Sequence, residues 1–371
     1  MSLKDKLRQQ GGGGGGAPQI FTKYGVAGNP FPSANQTSNN PHFRTEADEE
    51  AEARILSFFR DNRSQVVVVE GTQGTGKTNF LNYFEGQIQE ALEEEDEYYV
   101  VRYLADPEAS FEATIRRLFQ EIGTDHLEKL AAELDEDDSP MTVVRSQDMR
   151  SALHALRDED TREANAALML EWLLGFRLLK VHRETLGVQF RLDTVESKTA
   201  ALRDLILVSS EAEILKGIFL LLDELEKQDG VLGPTAITRY LSAMRAIIDA
   251  LPRHLFMMIA ITPDAMRRYS AAVPAFRSRL QNQITLLPLE ELETASELAN
   301  FYLTTAKVEA NNRRQFRGQK AGHKVLVTEE EIEEVFERLR KTAERRGDSG
   351  VRQREFLHQL HVLAEGRLQQ A

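Results

Sequence analysis

Gln65-Val66-Val67-Val68-Val69-Glu70-Gly71-Thr72-Gln73-Gly74-Thr75-Gly76-Lys77-Thr78 is the stretch on which the fold turns. Its first six residues form an apolar, β-branched run that reads as a buried strand. Residues 71–78 then complete a G-x-x-x-x-G-K-[ST] loop, and Asn79-Phe80-Leu81-Asn82-Tyr83-Phe84 continues with apolar positions at helical spacing. Chemistry needs this order. Glycines let the backbone close around a pyrophosphate, so that successive N–H groups from Gly71 through Asn79 point at its oxygens. Lys77 reaches the β- and γ-phosphates, and the Thr78 hydroxyl is the expected Mg²⁺ ligand. A strand, a complete loop and a helix together imply a nucleoside triphosphate site.

Composition narrows the setting. The 371 residues suffice for two or three compact units, and 41% hydrophobic with 28% charged residues is ordinary for a globular chain. There is no cysteine, which removes disulfides, zinc–cysteine sites and thiol catalysis and fits a reducing cytoplasm, the expected location. Apolar runs such as Gly217-Ile218-Phe219-Leu220-Leu221-Leu222 are cut short by charges, so no membrane insertion is expected. The first eight residues, Met1-Ser2-Leu3-Lys4-Asp5-Lys6-Leu7-Arg8, lack the apolar core of a signal peptide. A net charge of −13 argues against a surface that coats nucleic acid everywhere. One stretch, 313–324, has no acidic residue; Arg313, Arg314, Arg317, Lys320 and Lys324 make it either a DNA contact or a solvated loop.

Residues 1–20, with six consecutive glycines, read as a flexible tail. A helix is expected from Thr45, with Thr45 as N-cap and Asp48 three residues on. Strands are expected at 65–70, 98–104, 218–222, 255–262 and 283–287, separated by helical stretches. That alternation implies an α/β fold: a parallel five-stranded sheet covered by helices on both faces. The second and third strands are too far apart for one crossover, so a helical insertion is expected at about 125–212. From 289 to 371 the pattern is all-helical, a small second domain after the α/β domain at 21–288.

Leu220-Leu221-Leu222-Asp223-Glu224 is the second signal. Beside a phosphate loop, Asp223 would hold Mg²⁺ and Glu224 would orient and deprotonate a water; otherwise the pair caps the next helix. Thr262 ends an apolar strand, where its hydroxyl would meet the γ-phosphate or the water, or else shape the turn with Pro263. Arg279, before the fifth strand, could reach across a subunit interface to a neighbour's γ-phosphate, or complement a helix end. Arg352 opens the last helix, folded over the nucleotide or solvated at the surface.

In that order these motifs resemble the AAA+ ATPases over about residues 25–365. The resemblance implies Walker A at Lys77 and Thr78, Walker B at Asp223 and Glu224, sensor 1 at Thr262, an arginine finger at Arg279, sensor 2 at Arg352, and a helical lid. Asn29-Pro30-Phe31 is similar to the lead-in of the origin-recognition-like branch, which includes replication initiators, transposon target-selection ATPases and secretion or defence ATPases. There the segment lines the adenine pocket, which implies that role for Asn29 and Phe31; alternatively it is a packing turn. The insertion exceeds what that branch carries, and its usual C-terminal winged-helix DNA reader is missing from this sequence. The resemblance implies an ATP- and Mg²⁺-dependent, homo-oligomeric ATPase switch acting on DNA or a DNA-bound complex. The other reading is a signalling or assembly ATPase of a defence or secretion system, whose insertion binds a protein partner without direct DNA contact.

Overall fold

The computed structural model describes residues 23–33, 36, 40–93, 95, 97–104, 111–223, 225, 234–280, 282–312 and 324–369. The expected tail at 1–20 lies outside them, as do Glu224, Arg313, Arg314, Arg317 and Lys320.

The chain opens with α1 (Glu46–Asp61), β1 (Gln65–Glu70), α2 (Lys77–Ala91) and β2 (Tyr98–Leu104). A helical run comes next: α3 (Phe111–Glu136), a 3₁₀ turn (Ser139–Val143), α4 (Gln147–Ala155), α5 (Arg162–Leu173), α6 (Lys180–Leu186) and α7 (Val195–Glu211). Then come β3 (Gly217–Asp223), α8 (Pro234–Ala250), β4 (Leu255–Ile261), α9 (Pro263–Ala272), α10 (Pro274–Arg277) and β5 (Asn282–Thr285). Three helices end the chain: α11 (Leu292–Asn312), α12 (Glu329–Arg346) and α13 (Gln353–Gln369).

The five strands form one sheet of order β2-β3-β4-β1-β5, every pairing parallel. Period-two alternation assigns its faces. Val66, Val68, Leu220, Leu222, Met257 and Ile259 join a core with α3 and the helical run. Val67, Val69, Phe219, Leu221, Phe256 and Met258 join a second core with Phe58 of α1 and Phe80 and Phe84 of α2. The sheet is therefore buried on both faces, which explains its near-continuous apolar strands. β5 is shorter than expected, stopping at Thr285, and Leu287 beyond it is exposed.

Two compact units make up the chain. One comprises 45–71 and 80–286; the other comprises 1–44, 72–79 and 287–371. In the first, α1 starts as expected: the Thr45 N–H donates to Asp48 Oδ2 at 2.7 Å, and left-handed Asn62 ends the helix. Within α3, Gly123 sits at φ 71° and ψ −176°, a conformation open almost only to glycine, and splits the helix in two. A polar node ties this run to the sheet. The Tyr99 hydroxyl lies 2.9 Å from His126 Nδ1, and His126 Nε2 lies 2.8 Å from Ser209 Oγ. Burial pushes the His126 pKa down to about 4, so the ring is neutral.

The second unit has its own core, in which Val26, Phe31, Leu298, Phe336 and Phe356 are buried. Its α12 is capped at both ends, by the Thr328–Glu331 capping box and by left-handed Gly347. A short antiparallel bridge between Leu289 and Val351 clamps the start of the helical region to its last helix.

Candidate nucleotide-binding site

In the sheet-bearing unit, register brings three expected positions to one edge. Glu70 pairs with Ile261 and Leu222 with Ile259, so Gly71, Asp223 and Thr262 all lie where parallel strands end. The Gly71 N–H donates to Ile261 O at 3.2 Å. Carboxyl ends of parallel strands are where open α/β sheets bind ligands.

Asp223 is 1% exposed and ion-paired with Arg102 of β2, Nη2 to Oδ2 at 2.8 Å. The same Nη2 donates to Asn82 Oδ1 at 3.3 Å, while Nε lies 3.8 Å from Glu85. Burial raises the Glu85 pKa and Arg102 opposes that. Arg102 Nη1 is buried with no hydrogen-bond partner among the described residues. Sequence reasoning missed Arg102; its only signal was one charge in the apolar run Tyr98-Tyr99-Val100-Val101-Arg102-Tyr103-Leu104. Thr262 is the N-cap of α9, its Oγ1 accepting from the Ala265 N–H at 3.4 Å. Arg279 is half-exposed and donates from Nε to Asp249 Oδ1 at 2.5 Å.

In the other unit the phosphate loop is folded on itself. Gly74 (φ 86°) and Gly76 (φ 96°) adopt the left-handed backbone that the pattern reserves for glycine. Thr72 O accepts from Thr75 Oγ1 at 2.9 Å and from Lys77 Nζ at 3.2 Å. The first residues of α13 and the one before it lie against this loop. The Arg354 N–H donates to Gly74 O at 3.0 Å. A Cβ added at Gly74 would lie 3.5 Å from the Cβ atoms of Arg352 and Arg354, and one at Gly76 would lie 3.0 Å from Gln353 Oε1. Arg352 thus sits beside the loop; it pairs with Asp348 at 3.1 Å, and its Nε is buried with no hydrogen-bond partner among the described residues.

The lead-in belongs to the same unit. Asn79 Nδ2 donates to Pro41 O at 3.2 Å. Asn29 Nδ2 donates to His361 O at 3.0 Å, and His361 Nδ1 donates to Phe31 O at 2.7 Å. Phe31 itself is 1% exposed, its ring centroid 6.4 Å from that of Tyr302. Its side chain is in the core of the unit, with Asn29 pinned to α13. Lys324, the one described member of the basic stretch, is exposed.

Among the described residues no group of three His, Asp or Glu side chains could hold a metal ion alone. Thr78, after Lys77 in the phosphate loop, and Asp223, at the end of β3, are each of a residue type that ligates a divalent ion. The loop supplies backbone donors and Lys77, while Arg352 keeps a buried N–H unused. No described helix is long and apolar enough to cross a membrane.

A parallel sheet of order β2-β3-β4-β1-β5, a phosphate loop after its β1 strand and a helical unit beyond define an AAA+-type P-loop ATP-binding protein. The family model described as BREX system ATP-binding protein BrxC/D matches residues 124–366, well over half of the chain, and the protein belongs to that family. The match takes in Asp223, Thr262, Arg279 and Arg352 and begins after the phosphate loop. No curated protein matches. Among solved structures, the chain is similar to the ORC2 protein of Aeropyrum pernix, described in ADPNP–ADP complexes: 13% identity, 90% of this chain, 72% of that one, TM-score 0.42. Cdc6p from Pyrobaculum aerophilum shares 12% identity over 86% of this chain and 66% of that one, TM-score 0.40. The Walker-type ATPase of Pyrococcus abyssi shares 14% over 91% and 77%, TM-score 0.40. The class rests on strand order, loop and family, not on these likenesses.

Proposed function

We propose that this protein is a Mg²⁺-dependent ATPase switch of a defence system, assembling with ATP at subunit interfaces and acting on DNA or a DNA-bound complex. The supporting observation is the phosphate loop, with left-handed Gly74 and Gly76 and the Arg352–Arg354 segment laid against it. Lys77 and the loop N–H groups bind the β- and γ-phosphates, and Arg352 adds charge from the helical side. Thr78 and Asp223 would hold the divalent ion, which would neutralise charge on the phosphates. Glu224, next after Asp223, takes the proton of the attacking water. Thr262 positions that water, and Arg279 of one protomer serves the phosphates of its neighbour. Asn29 and Phe31 contribute by fixing the lead-in against α13.

Release of phosphate, with Lys77→Ala and Glu224→Gln beside wild type, tests this reading. Lys77→Ala should lose ATP binding. Glu224→Gln should bind ATP and lose turnover by about a hundredfold or more. Normal nucleotide affinity in the first, or normal turnover in the second, would refute the assignment.

A further inference from the structure

The helical insertion carries a surface that the nucleotide chemistry does not use. Of the nine large apolar side chains exposed among the described residues, four lie within 176–190: Phe176 at 48%, Leu179 at 64%, Val181 at 58% and Phe190 at 72%. No other phenylalanine is in that group. The same segment is basic in an acidic protein. Residues 174–193 hold Arg177, Lys180, Arg183 and Arg191 against Glu184 and Asp193, in a chain of net charge −13, and Asp148 accepts from the Phe190 N–H at 2.9 Å.

The loops on either side of α6 are joined. Arg191 Nε donates to Gly175 O at 2.8 Å, and Trp172 Nε1 donates to Phe190 O at 2.9 Å. Phe190 is therefore held by its backbone while its ring stands in water. The guanidinium of Arg116 lies 5.9 Å from the Phe176 ring centroid. Lys198 packs beneath Gly175, and burial, with Arg116 and Arg191 nearby, lowers its pKa against the pull of Glu112 and Asp193. A cation thus lies near the exposed Phe176 ring, and Arg191 follows the exposed Phe190 in the chain.

We propose that this face, built by the loop 174–179, α6 and the loop 187–193, binds single-stranded nucleic acid. Its cations take phosphates, and Phe176 and Phe190 stack on unpaired bases. Charge selects a polyanion. The rings select one with accessible base faces, because a duplex hides them and an acidic peptide offers none. The inference deepens the DNA arm of the proposed function and rests on it. Measured without nucleotide, it stands apart from the ATPase assignment.

The test is fluorescence anisotropy of the full chain, free of nucleotide, with a labelled mixed-sequence oligonucleotide of about 20 bases, single-stranded or duplex, between about 50 and 200 mM salt. The single strand should bind more tightly than the duplex and weaken steeply with salt. F176A/F190A should lower that affinity about tenfold or more, F176Y/F190Y should restore it, and neither should change the salt slope. R177Q/K180Q/R183Q should flatten the slope. These side chains are exposed, and thermal melting checks that each variant remains folded. No binding of the single strand at low salt would overturn the proposal, as would affinity indifferent to F176A/F190A. A labelled polyglutamate that bound as tightly, and lost affinity equally in that variant, would assign the face to an acidic protein instead.

Discussion

At 2.8 Å from the almost wholly buried Asp223 carboxylate, the Arg102 guanidinium supplies the opposite charge that pairs with it. Removing one partner of a buried pair strands the other, at about 2–3 kcal/mol here, since Arg102 keeps some solvent contact. Arg102→Gln should therefore lower stability by about that amount in urea unfolding. If Asp223 faces the divalent ion, saturating Mg²⁺ with a non-hydrolysable ATP analogue should at least halve the deficit, because the ion replaces the missing charge. An equal deficit with and without ligand would remove Asp223 from the metal site. His126 offers a pH test. Its folded pKa of about 4 lies below the ordinary value of 6.5, so between those values the unfolded chain binds a proton that the folded one refuses. Stability from the neutral ring is complete above pH 6.5 and drains away as pH falls towards 4, by about 3 kcal/mol in all. His126→Leu should be less stable than wild type at pH 7, and the gap should narrow by pH 4.5; parallel pH curves would contradict the shift. Neither residue was legible in advance. Arg102 pairs with a side chain 121 positions away, and His126 bonds Ser209 across the insertion. One-dimensional spacing carries no trace of such partners.

Elements were far more legible, and for a physical reason. A strand buried on both faces must be apolar throughout, so β1, β3 and β4 announced themselves in the sequence. Capping is local, so Thr45 with Asp48 marked the start of α1. Asn29-Pro30-Phe31 was ambiguous for the opposite reason. It reads equally as a pocket wall or a packing turn, and only tertiary structure puts the Phe31 ring in a core beside Tyr302. The break in α3 was equally silent, since a glycine inside a helical pattern has many readings. At Gly123 nothing lies within 4 Å of an added Cβ, so Gly123→Ala would cost backbone strain alone. The expected loss is about 1–3 kcal/mol, read by thermal or urea unfolding. Gly187, at φ 67°, also caps a helix but would meet Ser151 Cβ at 3.0 Å, so Gly187→Ala should lose more than the strain alone. A loss at Gly187 no greater than the roughly 1–2 kcal/mol of left-handed strain would mean that the contact with Ser151 relaxes freely.

At the scale of the whole molecule, the proposed hydrolysis needs a site completed either within one chain or between two. Arg279 is tied within its own protomer to Asp249, which Arg245 also grips at 3.1 Å. All three side chains are about a third exposed or more, so releasing Arg279 costs about 1 kcal/mol or less. That is small against the gain from placing a guanidinium on a transferring phosphoryl group, so the resting ion pair does not forbid a role in trans. If the arginine acts on a neighbour, Arg279→Ala and Lys77→Ala are each inactive for different reasons. The first cannot serve its neighbour and the second cannot bind its own nucleotide. Mixed assemblies then contain interfaces with an intact phosphate loop on one side and an intact arginine on the other. With random assortment, equal amounts should restore about a quarter of wild-type turnover, rising and falling as the ratio is varied. Phosphate release from the mixtures, read beside particle size with and without ATP, measures this. An assembly that forms with ATP yet shows no rescue at any ratio would return Arg279 to its bond with Asp249 and leave the site to be completed within one chain.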